Sequence, residues 1–377
     1  MKQILKVTFI IVLIAFTATL LFAGGTKEKA VEEKAKPEEK PAVEFKKPSP
    51  GYHAVEATVR MIETSKYKKP SPWVIGFSNA SLSNSWRVSF VAHLRYAMDE
   101  AKKKGLIKEY YETNANDDPV KQIADIEDLV TKGVDLLIVS ASTAEALTPA
   151  VEKVMDRGIP VITVDRNISS DKYISFVECS STQMGKLQAE WLAAELKGKG
   201  NVICLPGLAG ATPAEDRLAS AKKVFAQYPG IKILDVQYTS WSPVEGKRIT
   251  QTLIQRFPQI DGVWADSGLQ GSGAAEAFMD AGLKVPPISG EDFNRFLKMW
   301  KSNKLTAVGV TFSVRQGYEA AQIAFKVLRG EQVPHKVDVP NLVITEENLD
   351  TYVRMDLPDD YWAETMPEIA KIMFPGK

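Results

Sequence analysis

Short runs of β-branched and apolar residues alternate with longer amphipathic stretches along most of this chain. Residues 73–77, 136–139, 161–164, 174–177, 202–205, 231–236 and 262–265 read as strands. Between them apolar side chains recur at helical spacing: Ile123, Ile126, Leu129 and Val130; Leu187, Trp191, Leu192 and Leu196; Val224 with Tyr228. Strands that alternate with helices pair in parallel through right-handed crossovers, so the pattern predicts an α/β protein built on doubly wound sheets.

Helix starts are marked by chemistry. Asp118 precedes Pro119, Thr212 precedes Pro213 and Ser242 precedes Pro243. In each pair an oxygen able to accept from free backbone N–H groups stands before a ring that has no N–H to leave unpaired. All three follow predicted strands. In doubly wound sheets a ligand crevice lies outside the carboxyl ends of the strands, so these loops are where site residues are expected.

The amino terminus follows a different rule. Met1, Lys2 and Lys6 lead into an apolar run over 7–23, the charged and hydrophobic regions of an export signal. Residues 1–23 are expected to be a signal peptide cleaved after Ala23, and an uncleaved membrane anchor is the alternative. No cysteine follows the run, so a lipid-attachment signal is missing from this sequence. Over 25–50 lysine and glutamate alternate with alanine and proline, a composition that buries too little apolar surface to repay its ordering entropy. Residues 24–69 are therefore expected to be a charged linker, although Val55, Val59 and Ile62 form a weak helical pattern within it. Lysine plus arginine and aspartate plus glutamate each number 47, a balance that argues against a nucleic-acid partner or an acidic-lipid surface.

About 300 residues remain after Pro70, enough for two cores. The two cysteines, Cys179 and Cys204, exclude a disulfide scaffold. One bond between them or two buried thiols are equally open.

The strand-end loops carry a consistent chemistry. The first offers a polar stretch, 78–85, that ends in Trp86 and Arg87; later loops offer Asp165, Arg166, Arg217, Trp241, Asp266, Ser267, Glu291 and Asp292. A sugar presents hydroxyls that donate and accept, which carboxylates and guanidinium forks satisfy together, and an apolar face that an indole covers. Each residue also has a plain structural role open to it. Asp118 can be only a cap, Asp165 and Arg166 ordinary loop charges, Trp241 an interlobe plug, and Arg217 a solvated charge.

The segments IGFSNASLSNSWR, NANDDPVKQIADIEDLVTKGVDLLIV, GIPVITVDR, LPGLAGATPAEDR, FPQIDGVWAD and GEDF, in order over 73–343, resemble the periplasmic monosaccharide-binding proteins of ABC transporters, ribose and galactofuranose binders among them. The resemblance implies two Rossmann-like lobes joined by a three-strand hinge, 70–177 plus 312–342 forming the first and 178–311 plus 343–377 the second. It implies a monosaccharide in the cleft, hexose or pentose and conceivably a furanose, a transporter permease as the partner, a monomeric periplasmic protein, and no cofactor, metal or catalysis. Carried over by position, the ligand-binding residues are Asn84, Trp86, Arg87, Asp118, Asp165, Arg166, Arg217, Trp241, Asp266, Ser267, Asp292 and Thr311. Thr311 replaces a glutamine of ribose binders, Asp118 an asparagine, and Glu291 an aromatic; these departures speak against ribose itself. Hinge crossings are expected near 168–179, 292–311 and 340–345. The extension through Tyr352, Leu357, Tyr361 and Trp362 is expected to pack on the second lobe, contact with a partner being equally open.

Other functions leave weaker traces. There is no Walker loop or nucleophile elbow, and His53, His93 and His335 are too far apart in sequence for a local metal box. Gly268, Gly271 and Gly273 only partly imitate a dinucleotide loop. A glycosidase needs two carboxylates across a bond, for which Asp165 and Asp292 are the candidates. A DNA-binding regulator of this fold would carry a helix-turn-helix where this chain has an export signal. A sugar sensor docking on a membrane receptor reads the same closure as a transporter does, and sequence does not separate the two.

Overall fold

Leu136–Ser140 is buried at every position, as befits a central strand of a parallel sheet with helices on both faces. The structure, a computed structural model, describes residues 45–55 and 59–377. The expected signal segment and most of the charged stretch lie outside the described residues.

In chain order the elements are β1 (Gly51–His53), β2 (Met61–Ile62), β3 (Trp73–Asn79), α1 (Ser85–Lys103), β4 (Ile107–Asn114), α2 (Pro119–Thr131), β5 (Leu136–Ser140), α3 (Ala144–Asp156), β6 (Val161–Val164) and β7 (Ser175–Glu178). Then come α4 (Ser181–Glu195), β8 (Lys199–Leu205), α5 (Thr212–Phe225), β9 (Gly230–Val236), α6 (Pro243–Arg256), β10 (Gly262–Ala265), α7 (Gly268–Asp280), β11 (Ile288–Gly290), α8 (Asn294–Asn303) and β12 (Ala307–Val310). The chain ends with α9 (Gln316–Arg329), β13 (Val333–Pro334), β14 (Lys336–Asp338), β15 (Asn341–Ile344), α10 (Leu349–Tyr352) and α11 (Pro367–Met373).

Two large sheets result. The first lobe has the order β14-β7-β6-β5-β3-β4, parallel throughout. The second has β1-β15-β12-β11-β10-β8-β9, parallel except at the β15 and β1 edge. The chain passes between them after β7, after β12 and between β14 and β15. The middle passage begins at the last residue of its expected window, because α8 and β12 still belong to the second lobe.

Three expectations are corrected. The segment expected as linker is docked from residue 45 on. β1 pairs with β15, β2 pairs with β13, and Thr64 and Tyr67 are buried. Phe45 stacks on Tyr228 at 5.6 Å, and the His53 carbonyl accepts from Gln183 at 2.8 Å. The physical reason is the apolar and backbone pairing capacity of this stretch, which its charged surroundings mask in sequence. Thr212 is the first residue of α5 and not its cap; Ala211 holds that position. Asp118 and Ser242 do cap, accepting from Val120 and Lys121 and from Glu245 respectively.

The carboxyl-terminal tail is the third correction, because it packs on both lobes. Trp362 lies on Phe293 with ring centroids 5.2 Å apart, and the Asn294 N–H donates to the Tyr361 carbonyl on the second lobe. The same indole donates to Ser85 Oγ (3.1 Å), Thr365 and Ser89 hydroxyls meet at 3.1 Å, and Met366 N–H donates to His93 Nε2 (3.2 Å), all on α1 of the first lobe. His93 gives its Nδ1 proton to the Ser89 carbonyl, so the ring is held neutral, and burial pushes its pKa down to about 4. The tail therefore makes a fourth crossing. Cys179 and Cys204 are separate buried thiols, the first beside the Thr311 carbonyl and the second pushed by burial to about 12.

Candidate ligand-binding site

The first-lobe wall of the cleft is organised by one buried arginine. Asn84 caps α1 by accepting from the Arg87 N–H at 3.0 Å, which sets Arg87 on the first turn facing inward. Its guanidinium donates to Asp165, Asn79 and Ser140, and its Nε to the Ser81 carbonyl. Asp165 follows β6 with φ 63°, a left-handed conformation that aspartate tolerates better than most residues. That turn points the carboxylate back at Arg87, and Ser140 Oγ donates to it at 3.0 Å. Burial lowers the Arg87 pKa to about 10, and Asp165 opposes the shift. Arg166 faces the cleft: it donates to Asp117 at 2.8 Å, and its guanidinium lies 5.6 Å from the Trp241 ring of the other lobe.

The second-lobe wall depends on a glycine. Trp241 (φ 49°) lies so close to Gly207 that a Cβ there would fall 2.0 Å from its ring. Its Nε1 donates to Asp266 Oδ1 at 3.1 Å, and Asp266 also accepts from Gly207 N and Gln270. Asp266 thus positions the indole. Arg217 donates to the Asp266 carbonyl at 3.2 Å with its guanidinium 4.3 Å from the Phe312 ring, while its buried Nε has no partner among the described residues.

Counted with its open mouth, the space between the two walls is about 330 Å³. Asn84, Trp86, Arg87, Asp165 and Arg166 line it from the first lobe. Pro213, Arg217, Trp241, Ser267, Leu269 and Glu291 line it from the second, and Phe312 from the middle crossing. Trp86 is also wedged in the hinge, stacked on Phe90 and tilted against Phe312, each with ring centroids 5.3 Å away, and it donates to the Phe312 carbonyl.

Four expected residues do not line this cavity. Asp118 is an exposed cap, and its neighbour Asp117 (φ 60°) is the one paired with Arg166. Asp266 stands behind Trp241. Asp292 accepts from the Glu364 N–H of the tail at 3.2 Å, and burial lifts it well above the ordinary carboxylate range. Thr311 Oγ1 accepts from Leu342 N–H at the hinge. Of the two carboxylates a glycosidase reading needs, Asp165 lines the cavity and Asp292 is engaged by the tail. Sequence reasoning missed Pro213, Leu269 and Phe312, which as apolar side chains carry no polar signal.

Glu291 is 2% exposed and burial pushes it up to about 8, with Arg217 pulling the other way. A carboxyl neutral in the folded chain and ionised in the unfolded one loses its contribution as pH rises from about 4.5 to 8. His93 has the opposite sign and loses its contribution as pH falls from 6.5 to about 4. Between pH 6.5 and 8 the carboxyl dominates. Denaturant unfolding of the wild type is expected to show stability falling by at most about 1.4 kcal/mol per pH unit for this group, with a shallower slope in Glu291→Gln.

A family model described as periplasmic binding protein domain matches residues 75–332. The chain is 27% identical over 296 residues to the ribose import binding protein RbsB of Bacillus subtilis, covering 77% of this chain and 95% of that one. It is 28% identical to the xylitol-binding protein of Mycolicibacterium smegmatis, over 70% of this chain and 76% of the relative. Among solved structures it resembles the fructose-binding periplasmic domain of a hybrid two-component system, with TM-score 0.69, 29% identity, and coverage of 74% and 93%.

Proposed function

We propose, starting from the fact that this chain belongs to the periplasmic binding protein domain family, that it captures a monosaccharide or similar polyol outside the cytoplasm and delivers it to an ABC transporter. The observation that carries this reading is a cavity lined from both sheets, with Arg166 of one lobe over Trp241 of the other. Contacts of that kind are complete only when the lobes meet. A ligand that touches both walls then shifts the population toward the shut form by its differential affinity, and a permease recognises that form. Ribose, xylitol and fructose, named for the relatives, share a ring or chain of hydroxyls that suits these guanidinium, carboxyl and indole groups. The binding residues are those that line the cavity, Arg166, Arg217, Trp241 and Glu291 foremost.

Sensing is the second reading, favoured by a neighbour that is a domain of a two-component system. Both readings share the binding step. A thermal-shift screen over pentoses, hexoses and polyols tests it: a sugar at a hundred times its dissociation constant is expected to add about 2.7 kcal/mol of stability. No shift with any of them refutes the proposal.

Trp241 gives a second test. Its ring is half-buried at the margin of the hydrophobic interior, where Asp266 and Gly207 fix its position. Trp241→Ala is expected to keep the fold, to lower sugar affinity and to remove part of a sugar-induced change in intrinsic fluorescence. Unchanged affinity alongside lost stability indicates a structural plug instead.

A further inference from the structure

We propose that Glu291 is a specificity-determining residue of the cleft, meeting its ligand as an uncharged acid whose O–H donates to a ligand oxygen. The inference rests on the sugar-binding reading above and adds which protonation state the site selects. Glu291 sits in the cavity wall and is nearly inaccessible to water. Arg217, the cation that reaches toward it, is held elsewhere: its Nη1 is 3.9 Å from the carboxyl, beyond hydrogen-bond range, while the same atom donates to the Asp266 carbonyl.

The other groups around Glu291 leave its charge unsettled. Asp266 adds negative charge beside it, Asp292 is a second buried carboxyl whose own proton is held well above the ordinary range, and the Ser267 hydroxyl and Gly268 N–H favour the ionised form. Across the cavity, Arg87 is committed to Asp165 and Arg166 to Asp117. Burial outweighs these partners and holds the proton on Glu291 up to about pH 8.

A closed lobe over a neutral ligand removes the remaining water and makes ionisation costlier still. The proton is supplied by the buffer. Neutral polyols are therefore bound best below pH 8. A sugar carrying an ammonium group is the opposite case, because it pairs with the ionised carboxyl.

The test is titration calorimetry of the wild type and Glu291→Gln with D-ribose, D-fructose, D-allose, xylitol and D-glucosamine between pH 7 and 9. For the neutral compounds that bind, the wild type is expected to lose affinity about tenfold across that range. At pH 9 it should take up a proton on binding, seen as a heat that varies with the buffer's ionisation enthalpy. Glu291→Gln keeps an N–H donor and cannot ionise, so its affinity is expected to be flat with pH. Wild-type affinity for neutral sugars that is independent of pH overturns the inference, as does a slope that persists in the glutamine variant. Stronger binding of glucosamine than of the neutral sugars at pH 7 overturns it too. If no compound binds at either pH, the sugar-binding reading itself fails and takes this one with it.

Discussion

A chain that begins at Lys69 is expected to unfold well below one that begins at Val43. Removing 43–68 strips β1 from the edge of the second sheet, uncovers the β13 edge by removing β2, and deletes buried Tyr67 and Thr64. Loss of one buried aromatic side chain alone is on the order of 3–5 kcal/mol. At roughly 2–4 °C per kcal/mol for a protein of this size, the melting temperature should fall by about 10 °C. Calorimetry on the two chains checks this. Equal melting temperatures show that the docked segment adds length and no stability, as its composition suggests.

The second large effect separates two adjacent residues. Asp165→Ala leaves Arg87, which is 2% exposed, without its carboxylate, and an unpaired buried charge costs about 3–5 kcal/mol of stability. Arg166→Ala strands only Asp117, which is partly exposed and regains water, so the fold is expected to hold. What Arg166→Ala removes is the charged group facing Trp241 across the cleft. Sugar affinity should drop about tenfold to a hundredfold, the contribution of hydrogen bonds to a charged group. Denaturant unfolding and ligand titration on both variants decide it. The opposite outcome, a stable Asp165→Ala that fails to bind beside an unfolded Arg166→Ala, exchanges their roles.

Sequence made the parallel core legible because its strands are buried on both faces and read as unbroken apolar runs. It hid β4, an edge strand whose IKEYYETN sequence exposes its charges, and β11, which has three residues. Of the residues it singled out, Asp165, Arg166 and Trp241 line the cavity from loops and Arg87 and Arg217 from helices α1 and α5. It missed the choice between Asp117 and Asp118, which turns on a left-handed backbone that residue identity does not reveal. Asp292 carried a binding role by resemblance. Here its carboxylate is taken by Glu364 N–H, a partner that reaches it only because the tail folds back more than seventy positions later in the chain.

The pairing of β1 with β15 also sets an order of events. Gly51 meets Val343, a contact spanning about 290 residues, whose loop-closure cost is met only after nearly the whole chain is available. β14, which completes the first sheet, comes from the same late region. A chain emerging from its amino terminus can build each sheet's centre early, yet both must wait for residues past 335 before their last edges are filled. During that interval β12 presents an unpaired edge, the kind of surface on which partly folded chains associate. Because both sheets draw their last edges from the same late residues, completion of one lobe is coupled to completion of the other before any ligand is present.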